Sequence, residues 1–148
     1  MSASARGKAS HDLGIVGETI CKTLLARHGF VRIERVHTPW KVLFKNEGGR
    51  RVVKEAFPLE KVEGDFIAME KGTGRKVLAE AKATEDDRII FSRLEDHQVD
   101  ALNGTVAENG LAFLIVIIQG KGSMISWPIP EFKKGKSLVQ IGNQIFVK

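Results

Sequence analysis

The sequence predicts one mixed α+β domain in which a helix, three strands, a second helix and a further strand follow one another. Three observations predict it: apolar positions at helical spacing early in the chain, a glycine-hinged pair of strands in the middle, and a strand-helix-strand passage closed by the apolar run Leu111 to Ile118. A chain of 148 residues with 43% hydrophobic content fits one domain with its own core and needs no second.

From Ser10 to His28 the positions Leu13, Val16, Ile20 and Leu24 recur at helical spacing, and Gly29 stops the run. Glu18 falls next to Gly14, Cys21 and Leu25. It is therefore either a half-buried carboxylate aimed at the sheet or the i, i+4 partner of Lys22, and periodicity leaves both open. Val31 to Val36 reads as a strand. Trp40 to Lys45 and Arg51 to Phe57 then form a long hairpin around Asn46-Glu47-Gly48-Gly49. Lys41, Lys45, Arg50, Arg51 and Lys54 decorate it, with Trp40, Phe44 and Phe57 between them. That mixture suits a projection that grips a nucleic-acid backbone with apolar wedges, and equally a solvated face over a packed one.

The central strands carry Gly64-Asp65 and Glu80-Ala81-Lys82, hinged on Lys71-Gly72-Thr73-Gly74. A two-residue, Gly-first loop at Gly72-Thr73 suits the turn that matches strand twist. Counting outward, 71 meets 74, 69 meets 76 and 65 meets 80, with Lys82 two residues further on the same face. Directly opposed residues have Cβ atoms about 4.5 to 5.5 Å apart. Two carboxylates so placed repel, and a hard divalent cation turns that repulsion into binding. The Glu-x-Lys triple alone says little, because Glu131-Phe132-Lys133 repeats it with no acid-bearing strand before it. A turn longer by one residue would set Asp65 diagonal to Glu80.

An acidic loop, Thr84 to Arg88, leads to the second helix. Ser92-Arg93-Leu94-Glu95 has the pattern of a capping box and predicts that the helix starts there. Its apolar stripe is Leu94, Ala101, Leu102 and Val106, with Gln98 on the stripe and His97 at its border. An inward glutamine needs a partner, whether a water, a carboxylate or phosphate at a site, or a nearby carbonyl. Gly110 ends the helix, and the run from Leu111 should lie parallel to the preceding strand through a right-handed crossover. A strand from Met124 to Trp127, a Pro128 to Pro130 segment and a basic patch from Lys133 to Lys136 follow.

Charge is distributed unevenly. The net charge of +5 resides wholly in residues 1 to 64, with 12 basic against 7 acidic side chains, whereas residues 65 to 148 hold 11 of each. Residues 65 to 119 hold 6 bases and 10 acids, so a locally acidic module follows a basic one. That fits one region that grips phosphate and another that collects cations, and also a generic basic protein. The apolar run at Leu111 is too short to cross a bilayer. Met1 to Ser10 lacks an apolar signal core, so residues 1–9 read as a flexible basic arm on a cytoplasmic protein that inserts in no membrane. The single cysteine, Cys21, excludes an intramolecular disulfide, and the scattered His11, His28, His37 and His97 offer no zinc spacing. Oxygen ligands are the credible metal set, and nothing calls for an organic cofactor.

A helix carrying Glu18, an acid at Asp65, Glu80-Ala81-Lys82 and a following helix with Asp96-His97-Gln98 together resemble the PD-(D/E)xK nuclease superfamily. Arg6-Gly7, Thr38-Pro39, Val53-Lys54-Glu55-Ala56-Phe57, Glu80-Ala81-Lys82-Ala83-Thr84, His97-Gln98 and Gly110-Leu111-Ala112-Phe113 extend the resemblance to RecU-type Holliday junction resolvases, over most of the chain. The resemblance implies a restriction-endonuclease-like core and a homodimer cutting two strands of like polarity at a four-way DNA junction. It implies Asp65 and Glu80 as ligands of Mg2+, with Mn2+ as a substitute, Lys82 as the catalytic lysine, Glu18 as an acid supporting the metal, and Gln98 as a residue near the site. The hairpin within residues 38–62 becomes a stalk directed at the junction centre, and Arg6, Lys8, Lys41, Lys45, Arg50, Arg51 and Lys54 become DNA contacts. Two positions depart from the pattern. Gly64 replaces Pro or Thr before the acid, which implies looser strand geometry, and Glu85-Asp86-Asp87-Arg88 is acidic where the family is richer in Lys, Thr and Ser. Two other readings fit the same residues: a nuclease of this fold acting on linear duplex or DNA ends, and a junction-binding protein that cuts nothing.

Overall fold

The computed structural model describes residues 13–37, 40–58 and 64–148, excepting the side chains at 40, 41, 57 and 58. The arm with Arg6 and Lys8, the Thr38-Pro39 pair and the Lys41 side chain therefore lie outside the described residues. Helix α1 (Gly14–Arg27) is followed by strands β1 (Phe30–Arg35), β2 (Trp40–Glu47), β3 (Arg50–Pro58), β4 (Phe66–Glu70), β5 (Lys76–Thr84) and β6 (Arg88–Ile90). A short 3-10 helix (Phe91–Arg93), helix α2 (Asp96–Ala107) and strands β7 (Leu111–Ile118), β8 (Lys121–Ser126), β9 (Ser137–Ile141) and β10 (Gln144–Val147) complete the order. Five strands form the central sheet in the order β1-β4-β5-β7-β8, with β5 and β7 parallel and the other pairs antiparallel. This is the expected mixed α+β core.

Period-2 alternation sorts the central strands between two cores. Val77, Ala79, Ala81, Phe113, Ile115 and Ile117 pack under α1 with Cys21 and Leu25. Leu78, Ala112, Leu114, Val116 and Ile118 pack on the opposite face with Leu102 of α2, the 3-10 helix residue Phe91, and Ile89 and Leu138 of the small sheet. Strand β7 is buried on both faces, which is why it reads as an unbroken apolar run.

Helix α1 buries Gly17, Cys21 and Leu25, with Leu13, Ile20 and Leu24 beside them. Val16 is 74% exposed and leaves the expected stripe, because the buried ridge is the i, i+4 row through 17, 21 and 25. The helix passes so close to β8 that a Cβ at Gly122 would run into Ile20 and Leu24.

The β4–β5 hairpin keeps the expected register, with Met69 opposite Lys76 and Phe66 opposite Ala79. Its loop differs. Glu70 N–H donates to the Arg75 carbonyl at 2.9 Å and Gly74 N–H to the Glu70 carbonyl at 2.9 Å, closing a four-residue loop in which Gly72 and Gly74 both take positive φ. A two- and a four-residue loop centred on Gly72-Thr73 share one midpoint, so the pairing is the same.

Helix α2 starts one turn later than Ser92-Arg93-Leu94-Glu95 suggests. Phe91 and Leu94 are buried, which holds Ser92 in the 3-10 turn and leaves Glu95 as N-cap. Within α2, Leu102 and Thr105 are buried and Val106 is 37% exposed, so Thr105 takes the place expected for Val106. Strand β8 begins at Lys121, before the expected Met124, because Gln119 and Gly120, both at positive φ, turn the chain straight back from β7. A three-stranded sheet, β10-β9-β6, was not foreseen and closes the α2 side. No helix among the described residues is long and apolar enough to cross a membrane.

Candidate active site

Strand β4 begins only at Phe66, opposite Ala79, while β5 runs on to Thr84, and Asp65, Glu80, Lys82 and Gln98 gather where, among the described residues, β5 has no strand partner on its β4 side. Alternation points Glu80 and Lys82 to the α2 side, where they are 3% and 9% exposed. Lys82 Nζ stands 3.8 Å from Glu80 Oε1. Gln98 Nε2 donates to Glu80 Oε1 at 2.7 Å, and Gln98 Oε1 accepts the Glu95 N–H at 2.9 Å. The inward glutamine thus finds a carboxylate partner and ties it to the first turn of α2. Burial, and then the neighbouring Asp65 carboxylate, push the Glu80 carboxyl up to about 9, against the opposing pull of Lys82.

Asp65 is fixed by backbone on three sides. Its N–H donates to the Ala79 carbonyl at 2.9 Å, its carbonyl accepts from Val36 N–H at 2.8 Å, and Oδ2 accepts the Ala81 N–H at 2.8 Å. The carboxylate takes the amide that β4 would have bonded had it continued. Gly64 is buried at φ +66°, and a Cβ there would lie 2.7 Å from Leu78 Cδ1. The geometry before the acid is therefore tight where Gly64 had suggested looseness: this backbone shape and this packing admit glycine alone without strain.

Glu18 sits on α1, the helix that covers the other face of the sheet. It is 32% exposed and pairs with Lys22 at 3.1 Å, so both readings left open by periodicity hold in part. The Lys22 ammonium, with Arg35 and His37 further off, keeps its carboxyl below the ordinary value. Among the described residues no three His, Cys, Asp or Glu side chains stand close enough together to hold a metal ion. What converges is a pair of carboxylates, Asp65 and Glu80, beside Lys82 and Gln98. Oxygen donors of this kind fit a hard divalent cation, and such a cation would relieve what raises the Glu80 carboxyl, burial first and then the neighbouring Asp65 charge. Sequence reasoning missed Glu95, whose charge reaches Glu80 and whose Oε2 lies 3.1 Å from His97 Nδ1. The signal was present, since Glu95-x-x-Gln98 is itself an N-cap and N3 pair.

The predicted DNA contacts stand apart from this site. Strands β2 and β3 form a sheet of their own, turned by Gly48 and Gly49, both at positive φ, as a two-residue hairpin loop requires. Lys45, Arg50, Arg51 and Lys54 are all exposed. Lys45 pairs with Glu47 at 3.5 Å, Arg51 stacks 4.0 Å over the Phe44 ring, and Lys54 is the extra residue of a bulge opposite Leu43 and Phe44.

A family model described as RecU, Recombination protein U, matches residues 18–144, a range that takes in Glu18, Asp65, Glu80, Lys82 and Gln98. The chain belongs to this family. Membership brings Holliday junction resolution to this RecU-family chain, and with it junction DNA as substrate and the chemistry of a nuclease. No curated protein sequence matches the chain. Among solved structures, Hjc from Archaeoglobus fulgidus, a Holliday junction resolvase from an archaeal hyperthermophile, is similar at 16% identity over 76% of this chain and 81% of its own, with a TM-score of 0.44.

Proposed function

We propose that this protein resolves four-way junctions by Mg2+-dependent hydrolysis of a phosphodiester, placing paired symmetric nicks as a homodimer in the cytoplasm. The observation that carries the reading is the convergence of Asp65, Glu80 and Lys82 at the point where β5 runs on beyond its pairing with β4.

Asp65 and Glu80 are the residues to hold Mg2+, with Mn2+ as a substitute and Glu18 as a supporting acid. The bound cation supplies Lewis acidity at the phosphate and lowers the pKa of the attacking water. The chain's own residues do the rest. Gln98 fixes the orientation of Glu80 through its amide. The Ala81 N–H holds Asp65 in place. Lys82, confined beside Glu80, orients the attacking water, moves its proton and offsets charge on the phosphate. Because the catalytic groups are built into the sheet, the exposed charges of the β2–β3 stalk are left to contact DNA.

The test is a side-by-side digest of a four-way junction and a linear duplex, with and without Mg2+, and with nick positions mapped. Expected are two symmetric nicks in the junction with Mg2+ only, and an intact duplex. Equal cutting of both substrates would favour a nuclease of linear DNA. Junction binding with no cutting at any Mg2+ concentration would favour an architectural protein.

A further inference from the structure

The basic turn Lys133-Lys134-Gly135-Lys136 belongs neither to the site nor to the stalk. Residues 120–148 hold five lysines against the single acid Glu131. Lys133 and Lys134 are exposed and Lys136 is half-buried. Among the described residues none of the three makes an ion pair, whereas Lys22, Lys45, Arg75 and Arg88 each have a carboxylate partner.

The turn is held firmly. Phe91 N–H donates to the Lys136 carbonyl at 3.0 Å, Lys136 N–H to the Lys133 carbonyl at 3.2 Å, and Phe132 N–H to the Ile129 carbonyl at 3.0 Å. The Phe132 ring lies 4.6 Å from that of Phe91 and 4.9 Å from that of Trp127. Phe91 opens the 3-10 helix, whose Arg93 donates from Nη2 to the Ala83 carbonyl at 3.0 Å, and Ala83 follows Lys82 in the chain. A continuous set of bonded groups therefore joins the lysine turn to the end of β5 that carries the site.

We propose that residues 133–136 form a second phosphate-gripping element, which holds the duplex arm carrying the strand to be cut. The proposal rests on the nuclease reading and extends it. Three ammonium groups with no ion pair among the described residues, carried on one turn, offer a phosphate backbone several cations at once, and the anchored backbone of the turn lowers the ordering cost of binding. Lysines on a short turn contact backbone and carry no base-reading geometry, so the grip is independent of sequence. Its attachment to the site end of β5, and not to the separate β2–β3 sheet, assigns it to an arm of the substrate and leaves the junction centre to the stalk.

The test uses the full chain with EDTA present, so that DNA is not cut, and compares the variant Lys133→Gln/Lys134→Gln/Lys136→Gln with the wild type. Binding to a four-way junction and to a linear duplex of the arm sequence is measured against salt. The expected result is a fall of about 0.9 in the log–log salt slope for each lysine lost, equal for both DNAs. The charge-retaining variant Lys133→Arg/Lys134→Arg/Lys136→Arg restores both slopes. Unchanged slopes in the glutamine variant overturn the proposal, and a fall on the junction alone overturns the assignment to an arm. If the wild type binds neither DNA, the nuclease reading itself fails and takes this proposal with it.

Discussion

Strand β5 and the β2–β3 hairpin both carry charge, in opposite settings. Strand β5 lies between two hydrophobic cores and its Glu80 and Lys82 are all but sealed from water, while among the described residues β2 and β3 pair only with each other. On the hairpin Val42, Leu43, Phe44 and Val53 are exposed together with its basic residues. A two-stranded sheet is marginal by itself in water, and apolar groups displayed among cations are suited to DNA rather than to a core. The contrast teaches a division of labour. Chemistry needs charges held in fixed positions by packing, whereas substrate contact needs charges held out in water where a phosphate can reach them.

The largest effect that would break this contrast belongs to the hairpin. Neutralising Lys41, Lys45, Arg50 and Arg51 together should weaken junction affinity and reduce its salt slope by about one unit for each lost phosphate contact. Melting temperature should hardly change, since Lys45, Arg50 and Arg51 are exposed and solvated. An unchanged slope, measured by fluorescence anisotropy across a salt series, would return the hairpin to ordinary surface.

The buried site should reveal itself through pH. The folded Glu80 carboxyl titrates near 9 against an ordinary 4.5, so between those values the metal-free folded chain keeps a proton that the unfolded chain has released. Its contribution to stability is complete below about pH 4.5 and is lost as pH rises through 9, on the order of a few kcal/mol. Thermal melts in EDTA should therefore fall with rising pH in this window, and Glu80→Gln should remove most of the dependence. Adding Mg2+ at pH 8 should recover the stability. A wild-type curve that matches the glutamine variant would mean that Glu80 is not held as described.

Smaller still is the effect of Gly64→Ala, which adds a Cβ at positive φ against Leu78. It should cost about 1–3 kcal/mol and impair cutting by displacing Asp65, with DNA binding retained. Urea denaturation and a nicking assay together check this.

These regions also differ in how far the sequence discloses them. The run from Leu111 to Ile118 is legible because burial on both faces removes every polar interruption. The pairing of Asp65 toward Glu80 is legible because alternation and a glycine hinge fix register even where the loop type is misread. Side-chain capture is less legible. Nothing local tells that Ala81 N–H would bond Asp65 or that Gln98 would bond Glu80, since both depend on where a neighbouring strand or helix stops. Glu18 illustrates the limit: periodicity leaves a half-buried position and an i, i+4 pair with Lys22 both open, and the folded helix shows each in part. The small sheet escaped notice because its strands are short, although Gly142-Asn143 between Ile141 and Gln144 has the form of a hairpin loop.

The measurement that bears most directly on the account is Glu80→Gln, assayed for junction cutting in Mg2+ and for junction binding in EDTA. A cation held by Glu80 as proposed would be worth several kcal/mol of transition-state stabilisation, so cutting should fall by about 10^3-fold or more while affinity and salt slope stay at wild-type values. Cutting that survives the substitution, or cutting and binding lost together, would contradict a buried catalytic centre working beside separate DNA-binding surfaces.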